Sequence, residues 1–140
     1  MKICRFKKSH IDKLEITNEE KAEMLDYYNL YLKEDVSPAI TIKYQGMVQG
    51  IGGIRAMSKD VGEAWFCFNP DFLHQHKKGV IKKVRDYIDF VGITFKLKTI
   101  QAIIDIGIDR DIRFIEFLGF KRKKKLESGF DIYSRNMKGV

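Results

Sequence analysis

At 140 residues the chain has room for one domain, and a globule of this length buries roughly 65 to 70% of its unfolded surface without a disulfide or metal staple. Hydrophobic residues at 44%, aromatics at 12% and only two prolines exclude a disordered or low-complexity chain. The net charge of +7 is uneven, concentrated in "HKKGVIKKVRDYIDF" (His76 to Phe90) and from Lys121 onward, so both regions should attract anions.

"KICRFK" sets apolar Ile3, Cys4 and Phe6 among cations, an imperfect alternation that predicts a short strand. "TNEEKAEMLDYYNLYLK" opens on Thr17 with Glu20 three residues on, a capping-box spacing, and places Leu25, Tyr28 and Leu32 on one helical face. Past Pro38, "AITIKYQGMVQGIGGIRAMSK" reads as a hairpin turning at Gln45 and Gly46. Gly50, Gly52 and Gly53 mark its second arm for a bulge or for close approach by something else. After a turn at Asp60 to Gly62, "EAWFCF" forms a strand stopped by Asn69 and Pro70.

"HKKGVIKKVRDYIDFV" is an amphipathic helix with Val80, Ile81, Val84, Ile88 and Val91 on its apolar side. "TIQAIIDIGI" is a mostly apolar strand, as expected where both sheet faces are covered. Asp109 is placed to cap "RDIRFIEFL", and Gly119 to end it. "FKRKKKLE" and "FDIYSRN" complete a terminal hairpin joined near Ser128 and Gly129. The order is strand, helix, three strands, helix, strand, helix, two strands, with no repeat or linker, so a single domain is expected over 1–140.

Cys4 and Cys67 show no CxxC spacing, and no pair among His10, His74 and His76 has a thiol or carboxylate at metal-ligand spacing. No metal site is expected, and a reducing compartment is the default. The N-terminus lacks an apolar run of signal-peptide length, and no segment approaches the ~18 apolar residues of a membrane span. A soluble cytoplasmic protein without a membrane partner is expected.

The element order, and above all "RFIEFLGF" after a buried strand, resembles the GNAT superfamily of acyl-CoA N-acyltransferases, whose last helix commonly ends in a pattern of the type "FYxxxGF". A narrower resemblance is to the GNAT-like proteins of short-tailed phages related to internal virion protein A. It is carried by "GEAW" at Gly62 to Trp65, "HKKGVIKKV" at His76 to Val84 and "IRFIEFLGF" at Ile112 to Phe120. The resemblance implies an α/β fold with a mixed, mostly antiparallel twisted sheet flanked by helices, and with a central parallel strand pair that splays. It also implies acetyl-CoA as co-substrate, an amine acceptor, and either the host cytoplasm or the virion as location.

"FNP" at Phe68 to Pro70 matches the family's hydrophobic-x-Pro strand ending. Extra residues follow, and then His76, Gly79 and Ile81 stand where the family has Arg/Gln, Gly and Gly/Ala. The implied cofactor contacts are therefore Phe68, the helix-start amides of Gly79, Val80 and Ile81, and the cations Lys77 and Lys78. The family's tyrosine acid corresponds to Ile115, a hydrocarbon that carries no transferable proton, and an asparagine often found upstream corresponds to Ile108. Glu63, on the central strand beside Trp65 and Phe66, is the candidate general base, and Tyr133 in the last strand is the candidate replacement acid. The runner-up is a catalytically degenerate phage structural or interaction protein that contacts virion proteins through its basic face. Nucleic-acid binding rests only on "KRKKK" and the Lys-rich helix, without interleaved aromatics.

Overall fold

A computed structural model describes residues 1–35, 37–126 and 128–137. In chain order the elements are β1 (Lys2–Arg5), α1 (Ser9–Lys13), α2 (Asn18–Tyr27), a π-helical turn (Tyr28–Leu32), β2 (Ala39–Tyr44), β3 (Met47–Ala56) and β4 (Val61–Phe68). They continue as α3 (Pro70–Gln75), α4 (Lys77–Thr94), β5 (Thr99–Asp105), α5 (Asp109–Phe117), β6 (Lys121–Lys125) and β7 (Phe130–Asn136). The strands form one sheet in the order β1-β2-β3-β4-β5-β7-β6, with β4 and β5 parallel and the β1–β2, β2–β3, β5–β7 and β6–β7 pairs antiparallel. The expected mixed, mostly antiparallel sheet flanked by helices is present. Two short helices, α1 and α3, are additions that the sequence pattern did not predict.

Contacts divide the chain into two units, Met1–Arg55 with Trp65–Gly79, and Ala56–Ala64 with Val80–Val140. In the first unit Gln45 and Gly46 both take positive φ (53° and 78°), the geometry that a two-residue hairpin turn requires. The register slips between Ile42↔Gly50 and Lys43↔Val48, which leaves Gln49 as a bulged residue on β3. That bulge is used: the Asn69 backbone N–H donates to the Gln49 carbonyl at 2.9 Å, and the Asn69 side-chain amide donates to Gln49 Oε1 at 3.0 Å. Asn69 Oδ1 then accepts from the Asp71 N–H at 3.1 Å and caps α3.

The β3 glycines lie under the β4 aromatics. A Cβ on Gly50 would overlap the Phe68 ring, and one on Gly52 would overlap the Phe66 ring and stand 2.9 Å from the Trp65 carbonyl oxygen. At Gly53 it would meet Ala39 Cβ at 2.9 Å and the Trp65 indole nitrogen at 3.0 Å. The close approach expected of this glycine-rich arm comes from rings of the chain itself. Ile11, Leu14, Leu32, Val48, Ile51 and Trp65 form the buried cluster of this unit, with Phe6, Leu25 and Tyr28 packed against it. Thr17 Oγ1 accepts from the Glu20 N–H at 3.1 Å, the N-terminal half of the expected capping box.

His10 is buried in the same unit. Its Nδ1 receives the Lys7 backbone N–H at 3.2 Å and lies 2.7 Å from Thr41 Oγ1, so the network assigns the ring proton to Nε2 and makes Thr41 the donor. Burial first, then the charges of Lys43, Lys13 and Lys7, hold the imidazole pKa below its ordinary 6.5.

In the second unit, Val61, Gly62 and Glu63 of β4 pair with Thr99, Ile100 and Gln101 of β5. Val61 and Gly62 therefore belong to the strand and not to the turn before it. Val84, Ile88 and Val91 bury the apolar side of α4 as its spacing predicts. Helix α5 starts differently from expectation. Ile108 is its N-cap residue and makes no side-chain cap, while Asp109 and Asp111 sit inside the first turn, where carboxylates favour the helix dipole. Its end is as expected: Gly119 has φ +92°, its N–H donates to the Glu116 carbonyl at 3.0 Å, and the Phe120 N–H donates to the Ile115 carbonyl at 3.2 Å. This is a Schellman motif closed by buried Ile115 and Phe120.

All five cations of β6 are exposed, on the last strand of the sheet order. Lysines on such a strand discourage edge-to-edge pairing with a second molecule, which gives "KRKKK" a structural reason.

Gly52→Ala should lower unfolding stability by about 1–3 kcal/mol, because the Trp65 carbonyl cannot yield as a side-chain tip can. Urea denaturation with an unchanged slope measures it. For His10, the folded pKa lies below the unfolded one, so its contribution is complete above pH 6.5 and is lost as pH falls from 6.5 through the folded value. The urea midpoint should fall more steeply between pH 7.5 and pH 5 in the native chain than in His10→Gln.

Candidate functional site

Phe68, Lys77, Lys78 and Gly79 all belong to the first unit. Phe68 closes β4, half-buried, with its ring nearly parallel to that of Phe66 at 6.4 Å. The residues after Pro70 form α3, which buries Phe72 and Leu73 and ends at His76. His76 is the junction to α4, and its ring stacks on Phe72 (4.6 Å) and lies against Tyr44 (4.7 Å). That aromatic packing was missed in the sequence, because Tyr44 and Phe72 are far apart along the chain and α3 has too few residues to show a period.

Helix α4 begins at Lys77, with Lys78 and Gly79 also exposed in its first turn. Groups at this end of a helix lack intrahelical acceptors for their N–H donors and face the positive end of the dipole. A Cβ on Gly79 would meet only the Met1 side chain, its methyl at 3.2 Å, so no backbone crowds this turn. Val80 and Ile81 are placed differently. Val80 is fully buried, and the helical ladder offers the Ile81 amide the Lys77 carbonyl as acceptor. A phosphate at this helix start is therefore matched best by Lys77, Lys78 and Gly79.

Glu63 and Tyr133 both belong to the second unit. Glu63 is only 6% exposed, so its carboxylate is a buried group on the strand. Its register partner is Gln101, and side chains of paired residues share a face. Tyr133 pairs instead with Ala102, one residue further along β5, and so lies on the other face. The structure does not bring the candidate base and acid together. Tyr133 shares its face with Asp131 and Arg135; Arg135 reaches Asp89 of α4 at 2.6 Å, and Asp131 accepts from Arg122 at 3.1 Å. Arg85 of α4 donates to the Phe117 carbonyl of α5, so these two helices are neighbours. Burial first, then the charges of Glu116 and Asp131, push the Tyr133 phenol above its ordinary 10, and it stays protonated through the neutral range.

Ile115 is 2% exposed, so the position that the sequence comparison assigns to a tyrosine acid holds a core hydrocarbon here. Ile108 is the half-buried residue before α5. Among the described residues, no group of three His, Cys, Asp or Glu side chains could hold a metal ion. Nor, among them, is any helix long and apolar enough to cross a membrane.

Compared with solved structures, the chain superposes over nearly its whole length on acetyltransferases. A GNAT-family acetyltransferase of Bacillus anthracis matches with a TM-score of 0.69 at 13% identity, covering 96% of this chain and 93% of that one. The fold is that of the GNAT acetyltransferases. An acetyltransferase of Streptococcus agalactiae matches with a TM-score of 0.72 at 14% identity, covering 97% of this chain and 98% of the other. The N-acetyltransferase PseH of Campylobacter jejuni gives 0.64 at 13%, covering 96% of each. No family model and no curated protein matches the sequence. Within the GNAT fold, the parallel β4–β5 pair and the Gly119 helix end stand as the sequence led one to expect.

Proposed function

We propose that this chain is an N-acyltransferase that moves an acetyl group from acetyl-CoA to an amine. The observation that carries the reading is full-length likeness to GNAT acetyltransferases, joined to an exposed, cationic α4 start where only the Met1 side chain, and no backbone, stands against Gly79. Acetyl-CoA would supply a thioester, whose acyl carbon the amine nitrogen attacks as the C–S bond breaks. Lys77, Lys78 and the Gly79 amide hold the diphosphate, and Phe68 flanks the pantetheine arm. Val80 and Ile81 support this turn from within the helix.

Glu63 takes the amine proton, directly or through one water. Tyr133, the candidate acid, lies on the other sheet face and does not reach the acyl carbon that Glu63 would serve, so in this reading the departing thiolate takes its proton from solvent. The amine acceptor is left open by this reading. A second reading, a catalytically degenerate GNAT-fold structural or interaction protein, for which the sequence resemblance suggests a phage particle as the setting, is motivated by Ile115, a buried hydrocarbon that carries no acid function. Co-purification with virion proteins, together with no thiol release from acetyl-CoA, would select it.

Calorimetric titration with acetyl-CoA, CoA and dephospho-CoA tests the cofactor site without the acceptor. Dissociation constants of tens to hundreds of micromolar are expected, roughly 5 to 6.5 kcal/mol, since the helix end and lysines attract phosphate while the Ile81 position lacks the family's small residue. Gly79→Glu should weaken binding at least tenfold. Unchanged affinity in that variant would remove the proposed phosphate site, and no heat at millimolar ligand would remove the transferase reading.

A further inference from the structure

The first unit holds a cavity of about 520 Å³ that none of the roles above uses. Its apolar wall is built by Phe6, Tyr28 and Trp65, with the Phe6 ring edge-on to Trp65 at 5.3 Å and to Tyr28 at 6.3 Å. The π-helical turn makes this wall: the Lys33 N–H donates to the Tyr28 carbonyl five residues back at 2.9 Å, and the widened turn contributes both Tyr28 and Leu32 to the lining. Single π turns are uncommon and recur at functional sites.

The rim carries the opposite chemistry. Among the described residues, Arg5, Lys7, Lys8 and Lys33 line it against one carboxylate, Asp35, which already accepts from the Ser37 N–H at 3.2 Å and hydroxyl at 3.0 Å. Lys8 lies over the Tyr28 ring at 5.6 Å, so cation and aromatic wall are contiguous. A cavity of this size accommodates a small organic molecule, and its polar groups decide which one. A cationic ligand would meet like charges on most of the rim. A flat ring with an anionic substituent would satisfy both surfaces.

We propose that this cavity binds a small aromatic anion, its ring against Phe6, Tyr28 and Trp65 and its carboxylate or phosphate against the Arg5, Lys7, Lys8 and Lys33 rim. The inference stands apart from the transferase reading, because occupancy is read without acetyl-CoA. Trp65 is the chain's single tryptophan and lines the cavity, so its emission reports binding directly.

The test titrates the full chain with 4-hydroxyphenylacetate, phenyl phosphate and tyramine, which share a ring and differ in headgroup charge, while Trp65 emission is followed with excitation at the red edge. Both anions should saturate the signal at least tenfold below the tyramine concentration required. Raised salt should weaken them, since the rim is exposed. Lys7→Glu combined with Lys8→Glu, both at exposed positions, should remove the anion preference, and circular dichroism should match the native chain. Tyr28→Ala should weaken the anions at least threefold if the ring is held by this wall. Equal binding of tyramine and the anions, a preference that survives the double charge reversal, or no saturable change with any probe would overturn the proposal.

Discussion

The β3 glycines and the β4 aromatics are one packing device, and most of the first unit depends on it. Without side chains at Gly50, Gly52 and Gly53, β3 lets the rings of Phe68, Phe66 and Trp65 settle against its backbone. The bulged Gln49 then grips Asn69 by backbone and side chain, which fixes where β4 ends and where α3 is capped. α3 in turn delivers His76 to its aromatic neighbours and starts α4 with Lys77, Lys78 and Gly79 exposed. The position of the proposed phosphate site thus rests on glycines that never touch it.

Local chemistry was legible in the sequence wherever the pattern was itself local. The Gln45–Gly46 turn, the Thr17 cap, the apolar side of α4 and the Gly119 helix end each need only a few consecutive residues to declare themselves. Asp109 was misread as a cap because its side chain suits that position, whereas the backbone becomes helical one residue earlier and leaves Ile108 outside. The three glycines signalled close approach, but not by what, since the partners lie on another strand. α1 and α3 are five and six residues long, too short for a helical period to stand out.

Legibility was poorer for the candidate site. Glu63 and Tyr133 could be nominated by chemistry, but their facing depends on register: Glu63 pairs with Gln101 and Tyr133 with Ala102, and that one-residue offset puts them on opposite faces. The aromatic cavity was invisible because it is assembled from distant parts of the chain, Phe6 after β1, Tyr28 of the π-helical turn and Trp65 of β4. Charge was readable as a total but not as a role. The cations of β6 guard a sheet edge, those at the start of α4 surround a helix terminus, and Lys7 and Lys8 rim a cavity.

Glu63 is the residue on which the chemical account turns, since burial on the central strand is what distinguishes it from the chain's many surface carboxylates. The most direct measurement is the rate of free-thiol release from acetyl-CoA across a panel of primary amines, for the native chain and for Glu63→Gln, with folding and acetyl-CoA affinity checked in both. The account predicts amine-dependent release that falls by about 10²–10⁴ in the variant, the range lost with a positioned general base. Equal rates in the two proteins, or no release by a native chain that binds acetyl-CoA, would contradict it.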